Sequence, residues 1–260
     1  MSEGFADLAE GRLWYERAGS GFPVVFVHSG LMDSRAWEAQ FDAFAEQHEV
    51  VRYDRRGFGR SDAPRGSFSD LRDLRALLDT LGIARCALVG CAEGAGLAFD
   101  ASLDAPDAIE AIVAASPRVS GYRWRDPGSE VLADQVARTV RAGDPEGAIE
   151  LQLAVWAPVT SKADPGIRTV ALANAPAQRI EPSWREVPPP AVDRLDQLRA
   201  AALLVVGEED IAEVGEIADL VAEQVPGASK RVVAETDQLV NIGKPERFNR
   251  LALDFLAFAG

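Results

Sequence analysis

The residues whose types and spacing come closest to a catalytic motif lie around two glycines, Gly90 and Gly94. They bracket the turn between Ala87–Val89, an apolar run typical of a buried strand, and Ala95–Leu103, an Ala- and Leu-rich stretch typical of a helix. A strand that enters a helix through Gly-x-x-x-Gly is the frame of a nucleophile elbow, whose middle residue is normally a serine. Here the middle residue is Ala92, and a methyl group cannot act as nucleophile, acid or base. The sequence therefore predicts an elbow without its nucleophile.

The composition limits what the chain can bind. The 260 residues carry a formal net charge of −14, and 47% of them are hydrophobic. A strong negative charge disfavours nucleic acid and anionic membranes as partners, and no run reaches the roughly eighteen apolar residues that span a bilayer. The first residues have neither the basic nor the apolar region of a signal peptide. We expect a cytoplasmic globular protein that takes a small-molecule substrate or ligand, and the sequence does not indicate its oligomeric state.

The sequence offers little that would hold a metal or a cofactor. Its only cysteines, Cys86 and Cys91, lie at the two ends of one predicted strand, too far apart for a disulfide. Its only histidines are His28 and His48, and no Cys/His cluster has metal-ligand spacing. There is no P-loop lysine, and no Gly-x-Gly-x-x-Gly motif follows the first strand. We therefore expect neither a metal nor a cofactor.

Strand and helix patterns alternate through both ends of the chain. Val24–Val27 and Val50–Tyr53 are runs suited to strands buried on both faces, and Phe68–Leu81 carries a helical stripe of leucines. Such alternation implies a mostly parallel sheet covered by helices on both faces. In the middle of the chain the pattern changes to helices separated by turns that contain proline. We expect a core over 1–117 and 191–260, interrupted by a helical insertion over 118–190.

Five short motifs carry a resemblance to a known family. They are Val27–Gly30, Asp54–Asp62, the elbow Gly90–Gly94, Gly207–Asp210 and Asp237–Pro245. With these motifs in this order, and a helical insertion after the sixth core strand, the chain resembles the α/β-hydrolase superfamily over essentially its full length, in particular its small capped ester and lactone hydrolases. The resemblance implies an α/β-hydrolase fold: a mostly parallel eight-stranded sheet flanked by helices, a helical cap, and a small-molecule pocket between cap and sheet.

The resemblance also implies where a Ser–His–Asp triad would lie. Members of the superfamily carry its residues in the chain order Ser, Asp, His, and these positions are Ala92, Asp210 and Gln238 in this sequence. Gln238 is not a base at any physiological pH, so the nucleophile and the base are both replaced. Losing either group of such a triad costs about 10⁶ in turnover. We therefore expect no ordinary serine-hydrolase activity.

The backbone of the elbow could still bind a negatively charged oxygen. The resemblance implies an oxyanion hole made by the N–H groups of Glu93 and Gly30, with Leu31 beside it. It also implies that His28 braces this loop, an interpretation that we favour over a catalytic His28. Glu93 itself has two interpretations: a carboxyl group of raised pKa that acts as acid or base, or a negative charge that caps the helix N-terminus.

Further side chains are candidates for the pocket or for the structure around it. Asp237, near Asp210, could bind a cationic or hydroxylated ligand or could end a solvated loop. Cys91 is expected to be a buried apolar residue, because the residue before the elbow centre points away from the pocket in this fold. Asp33 and Arg56 could also border the pocket. We expect one of the three tryptophans of the insertion to touch the ligand, with Trp156 as the pocket candidate beside Trp124 and Trp184.

Three functions fit such a site. The first is a repurposed enzyme that uses the pocket and the oxyanion hole for an elimination, isomerisation or cyclisation of a small, partly apolar molecule. In it Glu93 would be the acid or base, supported by Asp210 or Asp237, and Gln238 a hydrogen-bond donor. The second is a ligand-binding pseudoenzyme, and the third a Ser/His hydrolase inactivated by engineered substitutions. We favour the first, because the site has exchanged its polar groups for other polar groups rather than for apolar ones.

Overall fold

Eight strands form one sheet in the computed structural model, which describes residues 1–259 of the chain and the side chains of residues 1–257. The strand order is β1-β2-β4-β3-β5-β6-β7-β8. β2 pairs antiparallel with β1 and β4, and all other neighbouring pairs are parallel. The strands are β1 (Ser2–Leu8), β2 (Gly11–Gly19), β3 (Pro23–Val27), β4 (Glu49–Tyr53), β5 (Cys86–Cys91), β6 (Ile109–Ala115), β7 (Ala201–Gly207) and β8 (Ser229–Val233).

Ten α-helices accompany the sheet in the described part of the chain. They are α1 (Glu38–Ala45), α2 (Asp70–Leu81), α3 (Glu93–Asp104), α4 (Pro127–Arg141), α5 (Pro145–Trp156), α6 (Thr160–Ala163), α7 (Pro165–Ala173), α8 (Ala212–Gln224), α9 (Val240–Gly243) and α10 (Pro245–Ala259). Between residues 1 and 259 no helix combines the length and the apolar composition needed to cross a membrane. The mostly parallel eight-stranded sheet with flanking helices confirms the predicted fold class.

The central strands are buried because their sequences are almost entirely apolar. All six residues of β5 are buried, and six of the seven residues of β6 are buried. Since β3 to β8 run parallel, their carboxyl ends lie at one edge of the sheet, where ligands of open α/β sheets bind. The loops that leave this edge hold the candidate residues that follow β3, β5 and β7: His28, Ala92 and Asp210.

Two helices begin elsewhere than the sequence predicts. α2 starts at Asp70 rather than at Phe68, because the hydroxyl group of Ser69 accepts a hydrogen bond from the backbone N–H of Arg72 and caps the helix. Pro165 was expected in a turn, but it is the first residue of α7. A proline fits this position because the first helical N–H has no intrahelical acceptor, and Asp164 caps the helix before it.

The insertion runs from the end of β6 to the start of β7. α4 to α7 lie within it, and one short contact ties its last part to the core: Phe68, before α2, pairs with Arg185 as an isolated β-bridge. The backbone N–H of Phe68 donates to the carbonyl of Trp184 at 2.7 Å, and that of Glu186 donates to the carbonyl of Phe68 at 2.8 Å. The boundaries at 118 and 190 stay a prediction.

Candidate functional site

The turn between β5 and α3 has the backbone of an elbow. Ala92 has φ 50° and ψ −110°, a conformation that costs a non-glycine residue about 1–3 kcal/mol. A Cβ atom on Gly90 would lie 2.4 Å from the carbonyl carbon and oxygen of Gly94, and one on Gly94 would lie 2.1 Å from the carbonyl oxygen of Val27. Because backbone atoms cannot yield, only glycine at both positions lets α3 pack this closely on the sheet. Ala92 therefore has the strained backbone of an elbow although its side chain is only a methyl group.

The side chain of Glu93 folds back over this turn. Its Oε2 accepts a hydrogen bond of 2.7 Å from the backbone N–H of Gly30, and its Oε1 lies 3.3 Å from Nε of Arg118. Burial acts to raise the pKa of Glu93, but the charge of Arg118 and the N–H groups of Gly30 and Glu93 outweigh it, and the pKa is lowered. The expected rise in pKa is therefore wrong. The lowered pKa favours the ionised carboxylate, and this carboxylate binds an N–H group that the resemblance assigns to the oxyanion hole.

Arg118 holds this carboxylate from the side of the insertion. Its guanidinium carbon lies 4.6 Å from the ring centre of Trp156 and 5.1 Å from that of Trp124, distances at which a cation and an aromatic ring attract each other. The two indole rings meet edge to face at 5.6 Å. Trp156 is buried by these contacts, with 8% of its surface exposed. The aromatic pair therefore fixes Arg118 and, through it, Glu93.

A pocket of about 280 Å³ opens beside this cluster. This volume is at the lower end of the roughly 300–1,000 Å³ of typical small-molecule sites. Its wall combines three arginines and four acidic residues with apolar side chains; the charged residues are Arg55, Arg118, Arg185, Asp70, Glu93, Asp100 and Glu186, and Trp124 is among the apolar ones. Two residues that the sequence offers for the site lie on this wall: Glu93, and Trp124 in place of the favoured Trp156. The others lie away from it: His28, Gly30, Leu31, Ala92, Trp156, Asp210, Asp237 and Gln238.

Asp70, the first residue of α2, joins two of the arginines on the pocket wall. Its Oδ2 lies 3.1 Å from Nη2 of Arg55 and 3.1 Å from Nε of Arg185. Burial acts to raise the pKa of Asp70, but the two guanidinium charges outweigh it and the pKa is lowered. Asp70 is thus a carboxylate that places one arginine from the loop after β4 against one from the insertion.

His28 braces the loops around the elbow. Its Nε2 accepts a hydrogen bond of 2.9 Å from the backbone N–H of Arg55, and its Nδ1 lies 2.8 Å from the carbonyl oxygen of Ser29. These contacts place the proton of a neutral ring on Nδ1. Burial, with the charge of Arg55, lowers the pKa of His28 to about 4. A fully buried ring with both nitrogens engaged has no base to offer a ligand, so the structure fits the bracing interpretation.

Asp210 lies after β7, close to the end of β6. Its Oδ1 accepts a hydrogen bond of 3.0 Å from the backbone N–H of Ile211, whereas its buried Oδ2 has no hydrogen-bond partner among the described residues. Burial raises the pKa of Asp210 to about 7, and the charge of Asp237 adds to the rise, while the Ile211 N–H and the nearby Ser116 hydroxyl, which makes no hydrogen bond of normal geometry, oppose it. A carboxyl group of this pKa can both donate and accept a proton at neutral pH. From the sequence, the role of acid or base was expected for Glu93 instead.

Asp237 has a structural task. Its side chain is fully buried, and its Oδ2 accepts hydrogen bonds from the backbone N–H groups of Val159 at 2.7 Å and Thr160 at 2.9 Å. The hydroxyl group of Thr160 donates to Oδ1. Asp237 therefore satisfies the free N–H groups at the start of α6. The expectation that it offers a carboxylate to a ligand does not hold, because both oxygens are used.

Several other candidates also hold the structure together. Cys86 and Cys91 are buried free thiols, and burial raises the pKa of Cys91 well above its ordinary value. The guanidinium group of Arg56 donates to Asp73, at 2.7 and 2.8 Å, and to the carbonyl of Glu10 at 2.6 Å, and Asp33 accepts a hydrogen bond of 2.9 Å from the Asn174 side chain. Residues with these partners brace loops. Leu31 belongs to the hydrophobic core, and Trp184 is 37% exposed.

The comparison with protein families agrees with this architecture. The sequence model of the Alpha/beta hydrolase family matches residues 24–251. The chain belongs to the α/β-hydrolase family. The match spans the sheet from β3 onward, the elbow and the insertion.

Relatives and solved structures cover almost the whole chain. A protein of Azorhizobium caulinodans named "Putative carbamate hydrolase RutD" is 25% identical over 277 residues, which cover 96% of this chain and 97% of the relative. The structure entitled "Est816 as an N-Acyl homoserine lactone degrading enzyme" has 25% identity and a TM-score of 0.79, and covers 97% of this chain and 100% of its own. The enol-lactonase from Burkholderia xenovorans LB400 has 22% identity and a TM-score of 0.80, and the match covers 98% of this chain and 100% of the enol-lactonase chain. At that identity the likeness concerns the fold.

Sequence reasoning within this α/β-hydrolase chain missed the arginines of the pocket and Ser116. The one available signal was the position of Arg55 inside the motif Asp54–Asp62. No spacing in the sequence indicates that Arg55, Arg118 and Arg185 come together at one pocket. Ser116 is buried at the end of β6 with φ 44°. Strained non-glycine residues cluster at functional sites, and Ser116 is one strand away from Ala92, whose N–H donates to the carbonyl of Ala115 at 2.9 Å.

Proposed function

We propose that this α/β-hydrolase-family protein is a repurposed enzyme that moves a proton on a small, partly apolar molecule in an elimination, isomerisation or cyclisation. Asp210 takes the role of acid and base. The observation that carries the proposal is the buried Oδ2 of Asp210, which has no partner among the described residues, on a carboxyl group whose pKa burial raises to about 7. Such a reaction needs positioning and one proton-transfer group rather than a covalent nucleophile.

The surrounding groups have assigned parts in this proposal. The ionised form of Asp210 removes a proton from the substrate and the protonated form returns it at another atom, so no water is consumed. The Gln238 side chain, 5% exposed, donates a hydrogen bond to the substrate. The backbone N–H of Gly30 stabilises negative charge on a substrate oxygen, and Glu93 must first leave that N–H group, which it now binds at 2.7 Å.

The test follows proton movement directly. The chain is incubated in D₂O with a panel of small lactones, enol lactones and carbamates, and ¹H NMR distinguishes deuterium uptake and isomerisation from hydrolysis. We expect deuterium uptake or rearrangement without hydrolysis, with a pH midpoint near 7, and a loss of about 10²-fold or more in the Asp210→Asn variant. Asp219→Asn, on exposed α8 and paired with Lys230, is the matched control. Turnover that survives Asp210→Asn contradicts the proposal.

A second candidate, a ligand-binding pseudoenzyme, is favoured by the bond between Glu93 and Gly30. An internal carboxylate already occupies an N–H group that a reacting oxygen would need. The same NMR panel separates the two candidates. Molecules that bind, as seen from shifted or broadened signals, but take up no deuterium and do not rearrange support the pseudoenzyme and count against the enzyme.

A rebuilt triad tests how much of the family's machinery is left. We expect the parent chain to leave chromogenic acyl esters intact and the Ala92→Ser/Gln238→His double variant to hydrolyse them, because the backbone of the elbow is already in place. The single variants are the controls, since either group alone lacks its partner. Ester hydrolysis by the repurified parent would show that another residue supplies the nucleophile or base.

A further inference from the structure

The pocket beside the elbow gathers arginines in an otherwise acidic molecule. The chain as a whole carries −14, yet three arginines from three separate loops reach the wall of one pocket. Two of the three charges are matched by Asp70 and Glu93. Of the other acidic residues on the wall, Glu186 is paired with Arg72 at 2.6 Å, and Asp100 accepts a hydrogen bond from Ser120.

Two of these arginines keep hydrogen-bond donors for a ligand. Arg118 approaches Glu93, and Arg185 approaches Asp70, through Nε. Among the described residues, no hydrogen bond engages the terminal Nη1 and Nη2 atoms of either side chain. Arg118 is 28% exposed and Arg185 39% exposed, so both can be reached from solvent through the pocket. By contrast, the terminal nitrogens of Arg55 donate hydrogen bonds to Asp70 and to the carbonyl of His28.

The surroundings of Glu93 stabilise a carboxylate. Its carboxylate, although buried, has a lowered pKa because Arg118 and backbone N–H groups surround it. The neighbouring wall is apolar, with Leu71, Leu97, Val119 and Trp124. A forked guanidinium group matches the two oxygens of a carboxylate, and an apolar wall takes a hydrocarbon body.

We infer that the pocket binds a small organic acid, with its carboxylate between the terminal nitrogens of Arg118 and Arg185 and its apolar body against Leu97 and Trp124. This inference goes beyond the proposed function: it names a ligand for the pocket, whose wall includes neither Gly30, Asp210 nor Gln238. Binding itself is independent of Asp210, which does not line the pocket.

The test compares an acid with its neutral analogue. Hexanoate and hexanamide have the same hydrocarbon body, and inorganic phosphate has a charge but no such body. Titration calorimetry and tryptophan fluorescence, which reports on Trp124, follow each probe at low salt. We expect hexanoate to bind with a Kd of about 10 mM or tighter, to weaken as salt is added, and to bind at least about tenfold more tightly than hexanamide and phosphate.

Variants with opposite expected effects make the test specific. Arg185→Gln and Arg118→Gln should each weaken hexanoate binding about tenfold or more, and Arg185→Lys should restore part of it. Glu93→Gln should strengthen binding, because it removes the internal carboxylate that competes for Arg118. Arg75→Gln, an exposed arginine of α2 paired with Asp104, is the control that leaves binding unchanged.

Several outcomes overturn the inference. They are equal binding of hexanoate and hexanamide, no hexanoate binding at about 10 mM, or parental affinity in a folded Arg185→Gln variant. Preferred binding of phosphate would assign the pocket to inorganic anions instead. Because these measurements need no turnover, failure of the proton-transfer proposal leaves them unaffected. Hexanoate binding combined with an inert Asp210 would identify a binding protein for organic acids.

Discussion

Glu93 and Asp210 are two acidic residues of one site whose pKa values are shifted in opposite directions. For Glu93, burial is outweighed by Arg118 and by backbone N–H groups, so the carboxylate is stabilised. For Asp210, burial prevails, the Asp237 charge adds to it, and the pKa rises to about 7. Acid and base roles follow from such differences in environment. At neutral pH Glu93 is a fixed anion, and Asp210 is the group that can exchange a proton.

The raised pKa of Asp210 predicts a pH-dependent effect on stability. Between about pH 4 and 7 the folded chain keeps a proton on Asp210 that the unfolded chain releases, so this group lowers the free energy of unfolding as the pH rises through that window. Asp210→Asn removes the ionisable group. We expect the variant to be more stable than the parent by about 1–3 kcal/mol at pH 8 and unchanged at pH 4.

Urea denaturation at both pH values measures this difference. Asp219→Asn, an exposed carboxylate of α8, controls for the removal of a charge as such and should stay within about 0.5 kcal/mol of the parent. If Asp210→Asn raised the free energy of unfolding equally at pH 4 and pH 8, the environment of Asp210 would not disfavour its ionised form.

Short polar contacts join the elements of the insertion to the sheet. α6 has four residues and cannot be stable alone, and the fully buried Asp237 holds its first N–H groups. Asn174, after α7, reaches the core in two directions: it donates to Asp33 and accepts from the N–H of Gly59, both at 2.9 Å. The position of the insertion over the elbow therefore depends on a few buried side chains.

Removing the Asp237 carboxylate should detach the start of α6. Asp237→Ala leaves three N–H groups and a hydroxyl group without their acceptor, and we expect a loss of about 2–4 kcal/mol in the free energy of unfolding. Denaturant unfolding measures the loss, and limited proteolysis near Val159 reports the local opening. Asp164→Ala, which removes the exposed cap of α7, should cost only about 1 kcal/mol. Equal losses in the two variants would show that burial of Asp237 adds nothing.

Burial is unevenly distributed over the whole molecule. All six residues of β5 are buried, whereas α4, with fifteen residues, buries Leu132 alone. Local opening requires less free energy where few apolar contacts are lost. The insertion and the sheet should therefore differ in stability although one chain forms both.

Native-state hydrogen exchange measures that difference. We expect the amides of α4 to exchange with opening free energies several kcal/mol below those of β5 and β6, which should approach the free energy of global unfolding. α3 belongs to the same chain and also contacts solvent at one end, but nine of its residues are buried, so it serves as the helical control. Uniform protection of α3 and α4 would contradict this view of the molecule.

Much of the architecture is predictable because it depends on local patterns. Apolar β-branched runs, a leucine stripe and the glycine pair around Ala92 predict a mostly parallel sheet with helices and a strained turn, since few residue types suit buried strands or such a turn. The start of α7 could be missed because a proline marks both turns and first helical turns. Its signal, Asp before Pro165, was present in the sequence.

The sequence by itself determined the fold and the glycine pair of the elbow, and it predicts that the triad positions hold Ala92 and Gln238, because these depend on residue type and order. The tertiary structure decided what the charged residues do. Glu93 is a fixed anion, Asp237 a buried cap, and Arg118 an ion-pair partner on the pocket wall, owing to partners 25 to 78 residues away. Charge and pKa depend on distance in space and on burial, and neither is written in local sequence.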